Sequence, residues 1–359
     1  MTHTPITVYP LPPRLETNPY LELLYAPMAD LGVEVRRPRA RAALAELLRG
    51  GAGHILHLHF FDELTQRPAL AQTVARSLGF LGMLAALRRR GVRLVWTAHN
   101  QAPHELRHPH WAFVVYRTVA RWSTAIIAHS NAARAALEDR YGALPHCTVI
   151  PHGNYIGRYG PLRERVQARE TLGLPAAGRL LLCVGMLRPY KQIEALIDAF
   201  AALPPATRGT LLIAGQPKDA AYAAELERRA AGVAGVLLRA SFVPDDQLAL
   251  YLAAADAVTL PYRSLLTSGM LLGALSYARP VVAPAFGPVG ELVRDGHEGF
   301  LFPPRDPDGL RAALARALAC PDLDALGRSG LAVAQGFAWP EIARRTVELY
   351  RAVGAGARG

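Results

Sequence analysis

Lysine is nearly absent from this chain of 359 residues: Lys191 and Lys218 are the only two, and the basic charge is carried almost wholly by arginine. Cysteine is equally scarce. Cys147, Cys183 and Cys320 are scattered without C-x-x-C spacing, which argues against a disulfide framework or a thiolate metal cluster and fits reduced core residues of a cytoplasmic protein. No uninterrupted apolar run approaches the roughly 20 residues of a membrane span; the longest is Leu78–Leu87. No basic segment followed by an apolar one opens the chain, so a secretory signal is not expected. Low-complexity tracts and short-period repeats are also missing. With 51% hydrophobic and 19% charged residues, the chain has the composition of packed cores rather than disorder. The net charge of +11 admits nucleic acid, an anionic membrane surface or an anionic substrate as partner. The arginines do not gather into one stripe and no nucleic-acid module is visible, so nucleic acid is not expected.

What the chain does have is a repeated alternation of short apolar runs with helical periodicity, the pattern of parallel α/β architecture. Strands are expected at Ile6–Tyr9, Val33–Arg36, His54–His59, Arg93–Ala98, Ala125–His129 and Thr148–Ile150. A second set is expected at Leu180–Val184, Thr210–Ala214, Val236–Arg239, Ala257–Leu260, Pro280–Ala283 and Gly299–Phe302. Helical periodicity is clear in Tyr20–Leu31, Ala69–Arg89, Ala132–Tyr141, Ile193–Ala202, Ala220–Ala231, Asp245–Ala254, Asp308–Ala319 and Glu341–Val353. Two such sets imply two Rossmann-like domains, residues 1–155 and 156–338, divided in the Gly- and Pro-rich stretch Pro151–Pro161. Residues 339–359 form a final helix whose stripe Ile342, Thr346, Leu349, Tyr350 and Val353 must be buried.

Chemistry concentrates where strands are expected to end, the place where open α/β sheets bind ligands. The segment 267–283 reads as a small polar turn, an apolar helix and a buried strand. Thr267, Ser268 and Gly269 would open that helix with unpaired amides and the positive end of its dipole, a ready anion site, although Ser or Thr there would also serve as an ordinary N-cap. Upstream, Gly185–Lys191 supplies Arg188 and Lys191 at another strand end. Cations on the first turn of a helix oppose its dipole, which favours a ligand for them. Together these groups suggest a diphosphate pocket. His57 to Glu63, Trp96 to Glu105 and Pro151 to Tyr155 follow strands of the first half.

These motifs resemble the GT-B glycosyltransferases, the family-4-like clan that moves sugars from nucleotide diphosphates. Asn18–Tyr25 (NPYLELLY), His57–Phe60 (HLHF), Thr97–Glu105 (TAHNQAPHE), His152–Tyr155 (HGNY), Gly185–Lys191 (GMLRPYK) and Leu266–Pro284 further resemble bacterial exopolysaccharide β-mannosyltransferases of xanthan type, in the right order along most of the chain. The resemblance implies two facing Rossmann-like domains, the first for the acceptor and the second for the nucleotide sugar, with the last helix crossing back to the first. It implies metal-independent chemistry with no cofactor, cations and amides neutralising the leaving diphosphate. It also places His99 against the donor sugar or phosphate. Two departures stand out. Met186 occupies a position where the clan usually has arginine, so Arg188 is expected to take that role. The clan's two glutamates would fall at Leu265 and Gly273, so their contacts to sugar and ribose must come from elsewhere.

Asp62 and Glu105, near the same expected edge, are candidates for the base that an inverting transfer requires; a retaining one needs none. His59, Asn100, Gly153, Tyr155 and Glu291 are assigned to the donor and acceptor cleft, with Gly153 and Tyr155 at the interdomain hinge and Glu291 at a helix N-terminus, where capping is the competing role. His104, His108 and His110 have the spacing of a metal site but lie in a loop without cysteine, and metal binding is not expected. The segment Arg76–Arg90, with Trp111, Trp122 and Arg121, is a candidate for contact with an anionic bilayer; a core helix with a solvated basic end is the alternative. The expected function is therefore transfer of a hexose, mannose from GDP-mannose, to a glycan or lipid-linked acceptor by a cytoplasmic enzyme, peripheral on the inner face of the plasma membrane. A retaining enzyme using a UDP-sugar and a non-catalytic sugar-binding GT-B protein are the alternatives.

Overall fold

A computed structural model describes residues 6–15, 18–103, 106–263 and 265–355. Its strands form two all-parallel sheets of six. The first holds β1 (Ile6–Leu11), β2 (Val33–Val35), β3 (His54–Leu58), β4 (Arg93–Thr97), β5 (Ala125–Ala128) and β6 (Cys147–Val149). The second holds β7 (Leu180–Val184), β8 (Thr210–Ala214), β9 (Val236–Arg239), β10 (Ala257–Thr259), β11 (Val281–Pro284) and β12 (Gly299–Phe302). Parallel neighbours need crossover connections, which is why helices intervene. The strand orders are β2-β1-β3-β4-β5-β6 and β12-β11-β10-β7-β8-β9, so direction of winding reverses between β1 and β3 and between β7 and β10. Ligands of open sheets bind beyond the carboxyl ends at such reversals.

The chain divides into two compact units, Met1–Gly153 with Ala338–Gly359, and Asn154–Phe337. The division falls after Gly153 rather than after Tyr155, because the next residues are fastened within the second unit. Asn154 donates its backbone N–H to Phe337 O and its amide to Ala334 O, and Tyr155 N–H donates to Ser276 Oγ. The helix Trp339–Ala355 belongs to the first unit, where Ile342, Ala343, Val347 and Tyr350 join a core with Tyr20, Leu24, Val8 and Ile127. Of its expected stripe, Ile342, Thr346 and Tyr350 are buried and Leu349 and Val353 partly so.

Each strand lies where the sequence places it, with ends displaced by a residue or two. The helices differ more. Tyr20–Leu31 is not one helix: an α-turn ends at Tyr25 and a 3-10 turn runs Ala26–Met28, because Pro27 has no N–H to continue the ladder. Helices Ala40–Gly50, Pro109–Trp122, Arg165–Thr171 and Leu323–Gln335 add to the expected set. Leu70–Arg89 contains a window of mean hydropathy 1.4, long and apolar enough to cross a membrane by length and composition, although no continuous apolar run of that length exists. Its buried residues are Thr73, Ser77, Phe80, Leu81, Leu84 and Leu87, and Leu70 and Leu78 stay exposed.

Candidate active site

In the second unit, the carboxyl edge around the β7–β10 reversal gathers the expected phosphate ligands. Gly185 follows β7 with φ +105° and lies so close to Gly215, after β8, that a Cβ on Gly215 would fall 1.9 Å from Gly185 O. Glycine is the residue that both tolerates the conformation and permits the approach. The chain then turns through Pro189–Lys191, a 3-10 turn, and Lys191 enters the interior at 9% exposure. Its Nζ sits over the Tyr262 ring, 5.5 Å from the centroid. Burial pushes its pKa down to about 8. Arg188 is half-buried beside it, and the two cations repel.

The loop after β10 brings the second component. Arg263 N–H donates to Tyr190 O at 2.9 Å, and the buried Tyr262 of the same loop sets its ring against the edge of Tyr190. Helix Gly269–Ser276 begins here, with Ser268 Oγ accepting from Leu271 N–H at 3.1 Å, so Ser268 is a true N-cap. Leu272 N–H reaches Ser268 O, and the Gly269 and Met270 amides have no backbone acceptor among the described residues. Thr267 and Gly269 are half-buried on the same turn. A Cβ at Gly269 would meet the Tyr155 hydroxyl at 2.9 Å, and Tyr155 cannot swing aside easily because it is buried and stacked on Tyr159. Ser268, Gly269 and Tyr155 thus meet at one helix N-terminus, and Lys191 lies over Tyr262 in the loop that leads to it.

In the first unit the carboxyl edge is lined by buried imidazoles. His57 and His59 from β3 and its end, His99 after β4, His129 after β5 and His152 after β6 are all buried. Tyr20 is their hub: its ring lies 4.6 to 5.7 Å from those of His59, His99, His129, His152 and Trp339. Tyr25 Oη is 2.8 Å from both His57 Nδ1 and His59 Nε2, so it donates to one and accepts from the other. His57 also meets Tyr350 Oη at 2.5 Å and Thr97 Oγ1 at 2.8 Å, and His59 Nδ1 approaches His99 Nε2 at 3.3 Å. Burial pushes His57 and His129 down to about 3 and His152 to about 4, and holds His59 well below the usual range, so these rings stay uncharged. His129 donates from Nδ1 to Ile150 O at 3.0 Å and leaves Nε2 buried without a partner.

Other expected site residues fall differently. Asp62 opens the short helix Asp62–Thr65, and its Oδ1 accepts from the buried Tyr116 phenol. Glu105 and His104 lie outside the described residues. Asn100 is half-buried directly after His99. Gly153 faces the Trp339 indole, where a Cβ would fall 2.4 Å away, so its smallness serves packing. Glu291 does not start a helix; it is exposed at the C-cap of Gly287–Gly290, because the turn closes where the helix was expected to begin. His108 Nε2 donates to Arg67 O, and no group of three or more His, Cys, Asp or Glu among the described residues is placed to hold a metal ion. Tyr20, Tyr25, His129, Tyr262 and Tyr350 were not singled out from sequence. The first two lie in the motif NPYLELLY; the others carried no signal beyond an apolar context.

Comparison with known proteins shows the family and the fold. Residues 8–154 match the Glycosyltransferase Family 4 model and residues 178–320 the model for glycosyl transferases group 1. The chain is 32% identical to a GDP-mannose:glycolipid 4-beta-D-mannosyltransferase of Xanthomonas campestris, over 81% of this chain and 76% of that protein. It is 27% identical to a D-inositol 3-phosphate glycosyltransferase of Streptomyces scabiei, over 97% and 81%. Among solved structures, Anabaena Alr3699/HepE in complex with UDP and glucose superposes with a TM-score of 0.72 at 19% identity, covering 96% of this chain and 99% of that one. Sucrose-phosphate synthase of Thermosynechococcus elongatus gives 0.75 at 19% identity, covering 98% and 100%.

Proposed function

Because the chain belongs to the GT-B glycosyltransferases, with a family 4 first half and a group 1 second half, we propose that it transfers mannose from GDP-mannose to a glycan or lipid-linked saccharide. The observation that carries this is Lys191, a buried cation over the ring of Tyr262, on the carboxyl edge from which the loop to the Gly269–Ser276 helix departs, at the sheet reversal where ligands bind. Negative charge grows on the diphosphate as the sugar leaves, and fixed donors stabilise that charge more than the ground state. Arg188 supplies the second cation, Ser268 and Thr267 their hydroxyls. No resident metal is needed in this scheme. The mannose and its β-linkage rest on the Xanthomonas relative.

A β-linkage formed with inversion needs a base for the acceptor hydroxyl. Of the two candidates, Asp62 is engaged by Tyr116 and Glu105 lies outside the described residues, whereas His99 stands at the carboxyl edge with His59 behind it. His99 is therefore the base in this scheme, with Asn100 and His59 beside it. The relatives named for inositol phosphate and the solved complex with UDP favour a second scheme, a retaining transfer from a UDP-sugar.

The acceptor's lipid has a matching surface. Residues 64–137 contain ten arginines and one carboxylate, Glu105. Leu70, Leu78 and Val114 are exposed there, and Arg88 covers the Trp122 ring at 5.4 Å. Apolar side chains ringed by arginine suit peripheral contact with an anionic leaflet.

A thermal-shift panel of GDP, GDP-mannose, UDP and UDP-glucose tests the donor: the true one at a hundred times its Kd adds about 2.7 kcal/mol of stability. Stabilisation by UDP compounds alone selects the second scheme, and the anomeric configuration of the product, read by NMR, decides between inversion and retention. Co-sedimentation with phosphatidylglycerol vesicles, lost at high salt, tests the membrane surface.

A further inference from the structure

Lys191 is a buried cation without an anion. Among the described residues no carboxylate pairs with it; the charged and titratable groups facing it are Cys183 on β7, Arg188 and Tyr190 on its own turn, and Tyr262 after β10. The same unit treats its other two buried cations in the opposite way: Arg279 donates to the carbonyls of Leu252 and Ala253 and lies 3.7 Å from Asp324. Arg169 pairs with Asp256 at 2.7 Å and donates to the carbonyls of Ala254, Ala176 and Gly178. A buried charge is ordinarily satisfied like Arg169. Lys191 instead meets the face of one aromatic ring and the backbone at Gly185, where a Cβ would lie 3.5 Å from Nζ.

We propose that Tyr262 is the positioning residue for Lys191: its ring holds the ammonium at the carboxyl edge without neutralising it, so that a bound diphosphate supplies the missing anion and binding takes up a proton. This rests on the donor site described above. The ring is itself fixed, by its burial and by the edge of Tyr190 with centroids 6.1 Å apart. A ring face attracts a desolvated ammonium by about 2 kcal/mol, enough to orient it. A carboxylate in that position would compete with the diphosphate for the same charge; an aromatic face does not. The proton balance is simple. In the fraction of molecules with a neutral amine, one proton from solvent adds to Nζ as the diphosphate enters, and leaves with it. Of the facing groups only Lys191 changes charge between pH 7 and 9, since burial pushes Cys183 to about 11 and raises both phenols.

Calorimetric titration with GDP from pH 7 to 9.5, in paired buffers of different ionisation heat, tests this. The wild-type protein should take up a proton near pH 8 and above, its affinity falling towards about tenfold per pH unit. Lys191→Met should bind weakly without that uptake, any titration of the nucleotide itself remaining. Tyr262→Phe keeps the ring and should keep the linkage. Tyr262→Leu should move the midpoint to lower pH and weaken GDP at pH 7.5 by about tenfold, the loss of a desolvated cation–π contact. An unchanged midpoint in Tyr262→Leu, or loss of proton uptake in Tyr262→Phe, overturns the proposal; the Phe arm decides alone should the Leu variant not fold. Failure of the wild-type protein to bind any nucleoside diphosphate, or full binding by Lys191→Met, instead removes the donor site itself.

Discussion

The two sheets solve the problem of polar groups at a carboxyl edge in opposite ways. In the first unit five histidines are buried, four of them held neutral by burial, and they are satisfied largely by one another, by Tyr25, Tyr350 and Thr97, and by backbone carbonyls. In the second, a cation and helix amides are kept short of partners. A neutral edge that donates and accepts suits a sugar hydroxyl; a positive edge suits a diphosphate. One architecture thus carries two chemistries by the residues placed after its strands.

Acid should break this contrast most strongly. Histidines with folded pKa values near 3 to 4 lie below the unfolded value of about 6.5, so the unfolded chain binds more protons between those limits. Their contribution is complete above pH 6.5 and is lost as pH falls towards the folded values. At pH 5 each group costs about 2 kcal/mol, and several together rival the stability of a whole domain. Thermal unfolding followed from pH 7.5 to 4.5 should show the first unit lost before the second; coincident loss would remove the distinction. Next in size, Lys191→Met should lower turnover by roughly a hundredfold or more while leaving Tm within a few degrees. Wild-type turnover would leave the positive edge without a role.

Smaller effects sharpen each side. Gly269→Ala forces a methyl against the Tyr155 hydroxyl and should raise the donor KM by about tenfold, since overpacking costs about 1–3 kcal/mol. Tyr155→Phe in the same chain removes the clashing oxygen and should restore most of the loss; failure of that rescue would show that the clash is not the cause. Smallest, Tyr25→Phe strips a shared partner from His57 and His59 and should cost about 1–3 kcal/mol, read as a lower Tm with donor affinity unchanged.

The strands were legible because parallel strands covered on both faces read as continuous apolar runs between turn residues. Helix Leu323–Gln335 was not, because its packing face is made of absences. Gly327 lets Ala278 O come within 2.1 Å of where a Cβ would be, and Gly330 does the same for Leu275 at 2.7 Å. Small residues that admit a neighbour weaken the period that Leu323, Leu326 and Ala334 carry here. At the site, Arg188, Lys191 and Ser268 stood out because cations and a cap at strand ends have few structural uses. Tyr262 and Tyr350 look like any buried tyrosine until the fold supplies their neighbours; His57 meets Tyr350 across 293 residues of chain. Glu291 misled because a carboxylate after a proline–valine–glycine turn suits either end of a helix, and the dipole argument presupposes which end it is.

The helix Trp339–Ala355 has a consequence for synthesis. Residues translated after the second unit supply Tyr350 to His57 and Ile342, Ala343 and Val347 to the core around Tyr20. Domains ordinarily fold in the order they leave the ribosome. Here the first unit must wait for its closing helix while Asn154–Phe337 is already whole, so it emerges with an open apolar face and is the part that a chaperone would meet.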